Sequence, residues 1–107
     1  MPFIELEKLP TKEIFPGFTG RCIHTGTMSF MYWTVAAGAT VPAHSHLHEQ
    51  VAQVLKGIFE LTVNGDTKIL QPGIIAVIPP HAVHSGKAIT ECELVDVFYP
   101  EREDYKF

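Results

Sequence analysis

Apolar residues along the chain gather in short runs rich in Val, Ile, Phe, Tyr and Thr, and Gly or Pro breaks each run before it can lengthen. That pattern predicts strands, not helices: Ser29 to Ala36, Thr40 to His46, Gln50 to Lys56, Ile58 to Val63, Asp66 to Leu70, Ile74 to Ile78, His84 to Ala88, and Glu91 to Phe98. No long segment carries a helical period. Asn64-Gly65, between "IFELTV" and "DTKIL", is a strong hairpin signal because both residues tolerate the positive φ of a type I′ turn. Pro72-Gly73 supplies the next turn. Residues 1–20, with isolated prolines and no clear period, read as an extended arm or edge strand covering a small all-β barrel or sandwich.

At 107 residues the chain is expected to form a single domain, 1–107, large enough for one hydrophobic core. A net charge of -4 with no basic run argues against nucleic acid, whose phosphates require clustered Lys and Arg. No apolar span suggests a membrane segment. The two cysteines, Cys22 and Cys92, lie far apart and no signal peptide precedes them, so a reducing cytoplasm is expected and a disulfide framework is not.

Candidate chemistry concentrates in "PAHSHLHEQV", which holds three of the six histidines. On a strand, His44 and His46 would project from one face with Cα atoms about 6.6 Å apart, close enough for both imidazoles to lean onto one ion. Gln50 lies four residues beyond His46, about 13 Å along a straight strand, so the chain must turn across Leu47, His48 and Glu49 for its side chain to face the same point. That turn leaves His48 near the rim. A second cluster, "IPPHAVHSG", offers His81 and His84 behind two stiffening prolines, and one of them can complete a site. A lone strand histidine is more often an ordinary hydrogen-bonding residue than a ligand; it is the pairing that raises the metal reading.

In "ECELVDVFYPERED", alternation places Cys92, Leu94, Asp96 and Phe98 on one face. If that face is inward, Asp96 is a carboxylate among apolar neighbours, costly unless paired or functional. A single bulge would turn it outward instead. Arg102, just past Pro100, either folds back over the barrel mouth or is a solvated tail residue.

The spacing of these clusters resembles the cupin family. Gly38, His44-x-His46, Gln50 and Gly57 follow the first cupin motif, with Gln in the usual Glu position; Gly73, Pro79, His81 in place of Gly, and His84 follow the second. The resemblance spans roughly residues 38 to 105. It implies a double-stranded β-helix barrel and one divalent metal ion (Zn, Ni, Mn or Fe) held by His44, His46, Gln50 and His84. At a finer level "HSHLHEQ", "PPHAVHSG" and "DVFYPEREDY" are similar to small pectin-degradation cupins that linearise unsaturated uronates. Carried over residue by residue, that resemblance makes Asp96 and Arg102 catalytic, with Phe98 and Arg102 binding a sugar-acid substrate. The implied activity is conversion of 4,5-unsaturated monouronates to the open-chain keto form. A metal-dependent dioxygenase and a non-catalytic small-molecule binding cupin are the alternatives. The arm and the open sheet edges suggest a homodimer.

Overall fold

In the computed structural model, which describes residues 2–107, strands from both halves of the chain interleave in two antiparallel sheets. The strands are β1 (Lys12–Phe15), β2 (Phe18–His24), β3 (Ser29–Val35), β4 (Thr40–His44), β5 (Glu49–Lys56), β6 (Phe59–Val63), β7 (Asp66–Leu70), β8 (Ile75–Ile78), β9 (His84–Ala88) and β10 (Cys92–Tyr99). One sheet has the order β1-β2-β3-β10-β5-β8 and the other β4-β9-β6-β7. Phe18, Met31, Trp33, Val54, Phe59 and Leu94 belong to one buried cluster, and Phe18 from the first sheet meets Phe59 from the second edge to face, with centroids 6.3 Å apart. Among the described residues the helical elements are two short 3₁₀ turns, and no helix is long and apolar enough to cross a membrane.

Expected strands appear with small shifts of their ends. Asp66–Leu70 and His84–Ala88 keep both expected ends, and β6 turns into β7 through Asn64-Gly65, with φ of 47° and 81° and Val63 paired to Asp66. Two differences matter for the site. β4 ends at His44 and does not reach His46, because its ladder with β9 is irregular after Val41 and the chain then leaves the sheet. Residues 1–20 are also more than an arm: Met1 lies outside the described residues, but β1 and β2 form a hairpin whose second strand pairs with β3 from Phe18 to His24. That second strand escapes pattern reading because "FTGRCIH" carries Gly20, which packing demands. A Cβ there would lie 2.5 Å from the Met31 sulfur and 3.1 Å from the Trp33 ring.

Gly57 joins β5 to β6 at φ 92°, and a Cβ on it would collide with the backbone carbonyl of Glu91. Gly38 has φ 82° but faces open space. Gly38→Ala is therefore expected to lose about 1–2 kcal/mol of stability, from left-handed backbone strain alone. Gly57→Ala adds a backbone clash and should lose roughly 3 kcal/mol or more. Urea unfolding of the two variants checks this, and equal losses would mean that backbone conformation alone selects glycine at 57.

Candidate metal centre

The two sheets bring together histidines that are far apart in sequence. His44 ends β4 and His84 begins β9; they are register partners, and their ring centroids lie 4.2 Å apart. His46 stands in the connection to β5, its ring 4.9 Å from His84 and 5.8 Å from His44. The His81 N–H holds that connection through a 2.7 Å bond to the His46 carbonyl. One ring nitrogen from each of His44, His46 and His84 falls within 4.8 Å of the others.

All three rings are oriented by the same device. Nδ1–H donates to a carbonyl two residues away: Pro42 for His44 at 2.9 Å, His48 for His46 at 3.1 Å and Ala82 for His84 at 2.9 Å. A carbonyl can only accept, so each Nδ1 carries the proton and each Nε2 presents a lone pair. His84 Nε2 is buried without any partner. Burial, with the Arg102 charge behind it, pushes the His46 pKa down to about 4, and burial lowers that of His84 as well. His46 and His84 are therefore neutral at ordinary pH.

Gln50, the first inward residue of β5, sets its Oε1 3.0 Å from His46 Nε2. With the His46 proton on Nδ1, two lone pairs face each other at hydrogen-bond distance, an arrangement that a shared cation satisfies and that a hydrogen bond does not. Reversing the amide is disfavoured because the same side chain stabilises the charged form of the Asp96 carboxyl, which calls for its N–H end. Three imidazole nitrogens and an amide oxygen converging on one point fit a divalent ion.

The cupin domain model matches residues 31–98, which hold every side chain of this group. The chain belongs to the cupin family. It is 33% identical over 72 residues to the pectin degradation protein KdgF of Dickeya dadantii, a segment covering 65% of this chain and 66% of that protein, just under two thirds of its length. The structure of KdgF from Halomonas sp. superposes with a TM-score of 0.90 at 27% identity, covering 97% of each chain. An RmlC-like cupin from Shewanella frigidimarina gives 0.92 at 29% identity, over 98% of this chain and 96% of that one.

Asp96 of this cupin points inward, which settles the face that alternation along β10 left open, and is 9% exposed. It pairs in register with Met31 on β3 and Ala52 on β5, so its diagonal neighbours are Trp33 and Gln50. The Trp33 indole donates to Asp96 Oδ2 at 2.9 Å. Burial raises the Asp96 pKa to about 6, against the opposing hydrogen bonds of Trp33 and Gln50 and the charge of Arg102. Phe98, two residues on and fully buried, sets its ring 5.7 Å from that of His46.

Arg102 does fold back. It is 7% exposed, with its guanidinium carbon 4.7 Å from the Phe98 centroid and 4.0 Å from that of Tyr105. Nε and Nη2 donate to the two oxygens of Asp104 at 2.9 and 2.7 Å, which fixes the plane of the fork. His48 stays outside the three-histidine group, as expected; its Nε2–H donates to the Glu101 carbonyl at 3.2 Å. His81 is exposed and takes the left-handed backbone of the glycine it replaces, with φ 66°. Trp33, Asp104 and Tyr105 were not singled out by the sequence. Only Asp104, two residues from an arginine of interest, carried a local signal.

His44→Ala, His46→Ala or His84→Ala should each remove most of the metal that the wild-type protein takes up from a divalent salt. His48→Ala should keep it. Elemental analysis of folded variants decides, and equal loss in all four would show that His48 belongs to the donor set.

Proposed function

We propose that this cupin is a metal-dependent enzyme that opens the ring of a 4,5-unsaturated monouronate and releases its keto form. The observation that carries the reading is a single cavity lined by His44, His84, Gln50, Asp96, Phe98 and Arg102. Similarity to the pectin degradation proteins supports the substrate class.

On this reading His44, His46, His84 and Gln50 hold the ion. When bound, it supplies Lewis acidity toward substrate oxygens, undiminished by any anionic ligand. The reaction is an isomerisation. The bond between C1 and the ring oxygen breaks, the hemiacetal hydroxyl gives up its proton, and the ring oxygen becomes an enol hydroxyl. That enol then gains a proton at C4 and loses the one on oxygen, leaving a ketone. Asp96 is the group that accepts and returns these protons, its carboxyl held in place at Oδ2 by the Trp33 indole. Arg102 pairs with the substrate carboxylate through its planar fork, and Phe98 forms the wall against which the sugar ring rests.

The reading also takes the protein to act in the cytoplasm as a homodimer. Supporting the dimer, β8 is a sheet edge whose outward Ile75 and Val77 are 57% and 64% exposed. Val77 aligns across the sheet with Val51 and Val97 in one apolar row. Light scattering should give twice the monomer mass, falling to the monomer in Val77→Lys; a wild-type monomer at micromolar concentration refutes the dimer.

Loss of the conjugated alkene, followed in ultraviolet absorbance with metal-loaded protein, tests the activity; a rate equal to the spontaneous one rejects it. Oxygen uptake by the same sample would favour a dioxygenase. Asp96→Asn should lower kcat by about 10²–10⁴, the usual contribution of a general acid–base, at unchanged metal content. Arg102→Lys should raise KM more than it lowers kcat, because the charge remains and the bidentate fork is lost.

A further inference from the structure

Arg102 lies beyond the end of β10, where no sheet ladder holds the chain. From residue 100 onward the backbone bonds to backbone are local, from Tyr105 N–H to the Arg102 carbonyl and from Lys106 N–H to that of Glu103. The place of Arg102 must come from side chains elsewhere. The Arg102 N–H donates to Ser29 Oγ at 2.8 Å, and Ser29, the first residue of β3, is fully buried. His24, the last residue of β2, sets Nδ1 2.7 Å from that hydroxyl and Nε2 3.3 Å from the Tyr105 carbonyl.

With the His24 ring neutral, the three bonds admit one consistent assignment of protons. The Tyr105 carbonyl can only accept, so His24 carries its proton on Nε2. Nδ1 is then an acceptor. The Ser29 hydroxyl, already accepting from Arg102 N–H, has its own proton free to donate to Nδ1. Every polar atom of the pair is used, and both ends of the link reach the segment that carries Arg102 and Tyr105. His24, Ser29 and Phe98 also lie in one register row across β2, β3 and β10, so the pair is built into the sheet.

We infer that Ser29 and His24 are positioning residues that fix the guanidinium of Arg102 over Phe98 and thereby set affinity for the substrate carboxylate. The inference rests on the reading of Arg102 as the carboxylate clamp, and the experiment separates the two. Trp33 is the chain's single tryptophan and meets Tyr105 edge to face with centroids 6.0 Å apart, so its fluorescence reports on this segment whether or not the protein turns anything over.

Sodium D-galacturonate is titrated calorimetrically into metal-loaded wild type and into Ser29→Ala, His24→Leu, His24→Gln and Arg102→Ala, and acrylamide quenching of Trp33 is measured on the same samples. Ser29→Ala and His24→Leu should each weaken galacturonate binding about tenfold, the equivalent of one lost hydrogen bond. Both should at least double the quenching of Trp33. His24→Gln, whose amide offers an acceptor and a donor, should restore affinity to within about threefold of wild type and leave quenching low. Wild-type affinity together with wild-type quenching in Ser29→Ala overturns the inference, as does a His24→Gln variant no better than His24→Leu. If Arg102→Ala binds galacturonate as wild type does, the clamp reading fails and affinity no longer bears on the pair. Quenching then decides alone: a rise in Ser29→Ala and His24→Leu retains the pair as the hold on the segment, and no rise removes it.

Discussion

The site depends on the register of β10 between β3 and β5. Asp96 sits opposite Met31 on one side and Ala52 on the other, which makes Trp33 and Gln50 its diagonal neighbours and brings both polar groups to its carboxyl. A slip of one residue would carry Asp96 and Phe98 to the outer face and bring Val95 and Val97 in. The apolar residues on the inward rows of the three strands, Met31, Val35, Val54 and Leu94 among them, oppose that slip. The same packing that stabilises the barrel thus holds a carboxyl where water would otherwise be needed. Hydrogen bonds to a charged partner are worth about 1.5–3 kcal/mol each, so the indole recovers only part of what burial costs. The carboxyl keeps the difference as a raised pKa.

Glutamine at position 50 follows from the same neighbourhood. A glutamate there would set a second carboxylate against buried Asp96, and one of the two would have to take up a proton. An amide offers an acceptor at one end and a donor at the other, so Gln50 can face the three imidazoles with its oxygen and Asp96 with its nitrogen. The departure from the usual first cupin motif therefore answers to Asp96, which lies diagonal to Gln50 across the β5–β10 ladder. The residues at 50 and 96 form one unit, and neither can be explained from its own strand.

Much of this was legible before folding. Alternation along "ECELVDVF" put Asp96 and Phe98 on one face, which the fold turns inward, and strand geometry paired His44 with His46, because periodicity and turn chemistry are local properties that a sequence carries openly; the choice of His84 over His81 came from the resemblance to cupins. What escaped depends on contacts between distant segments. Gly20 reads as a strand breaker until Met31 and Trp33 are seen to occupy the space where its Cβ would be, and the strand it belongs to went unread. Trp33 reads as core, and only the β3–β10 register turns it into the donor for Asp96. The strand expected to reach His46 stops at His44, and beyond it the His46 carbonyl accepts from the His81 N–H of the β8–β9 loop. Arg102 was open between clamp and tail because its confinement comes from Ser29, Phe98, Tyr105 and Asp104, not from any ladder.

The charge balance of the cavity argues for an anionic ligand even though the chain as a whole is acidic, with a formal net charge of -4. Burial keeps His46 and His84 neutral, and Gln50 contributes no charge, so nothing in the donor set offsets a divalent ion. Arg102 adds a positive charge to the lining, shared with the exposed Asp104, and Asp96 is the single acid lining the same cavity. A neutral ligand would leave that field uncompensated at some desolvation cost, whereas a sugar acid brings the missing charge on the group best shaped for a guanidinium. The acidic side chains that give the chain its overall sign, such as Glu91, Glu93 and Glu103, are exposed on the outside. On the proposed reading, selection for an anion is a property of the cavity, set by which groups are buried and how their protons are placed.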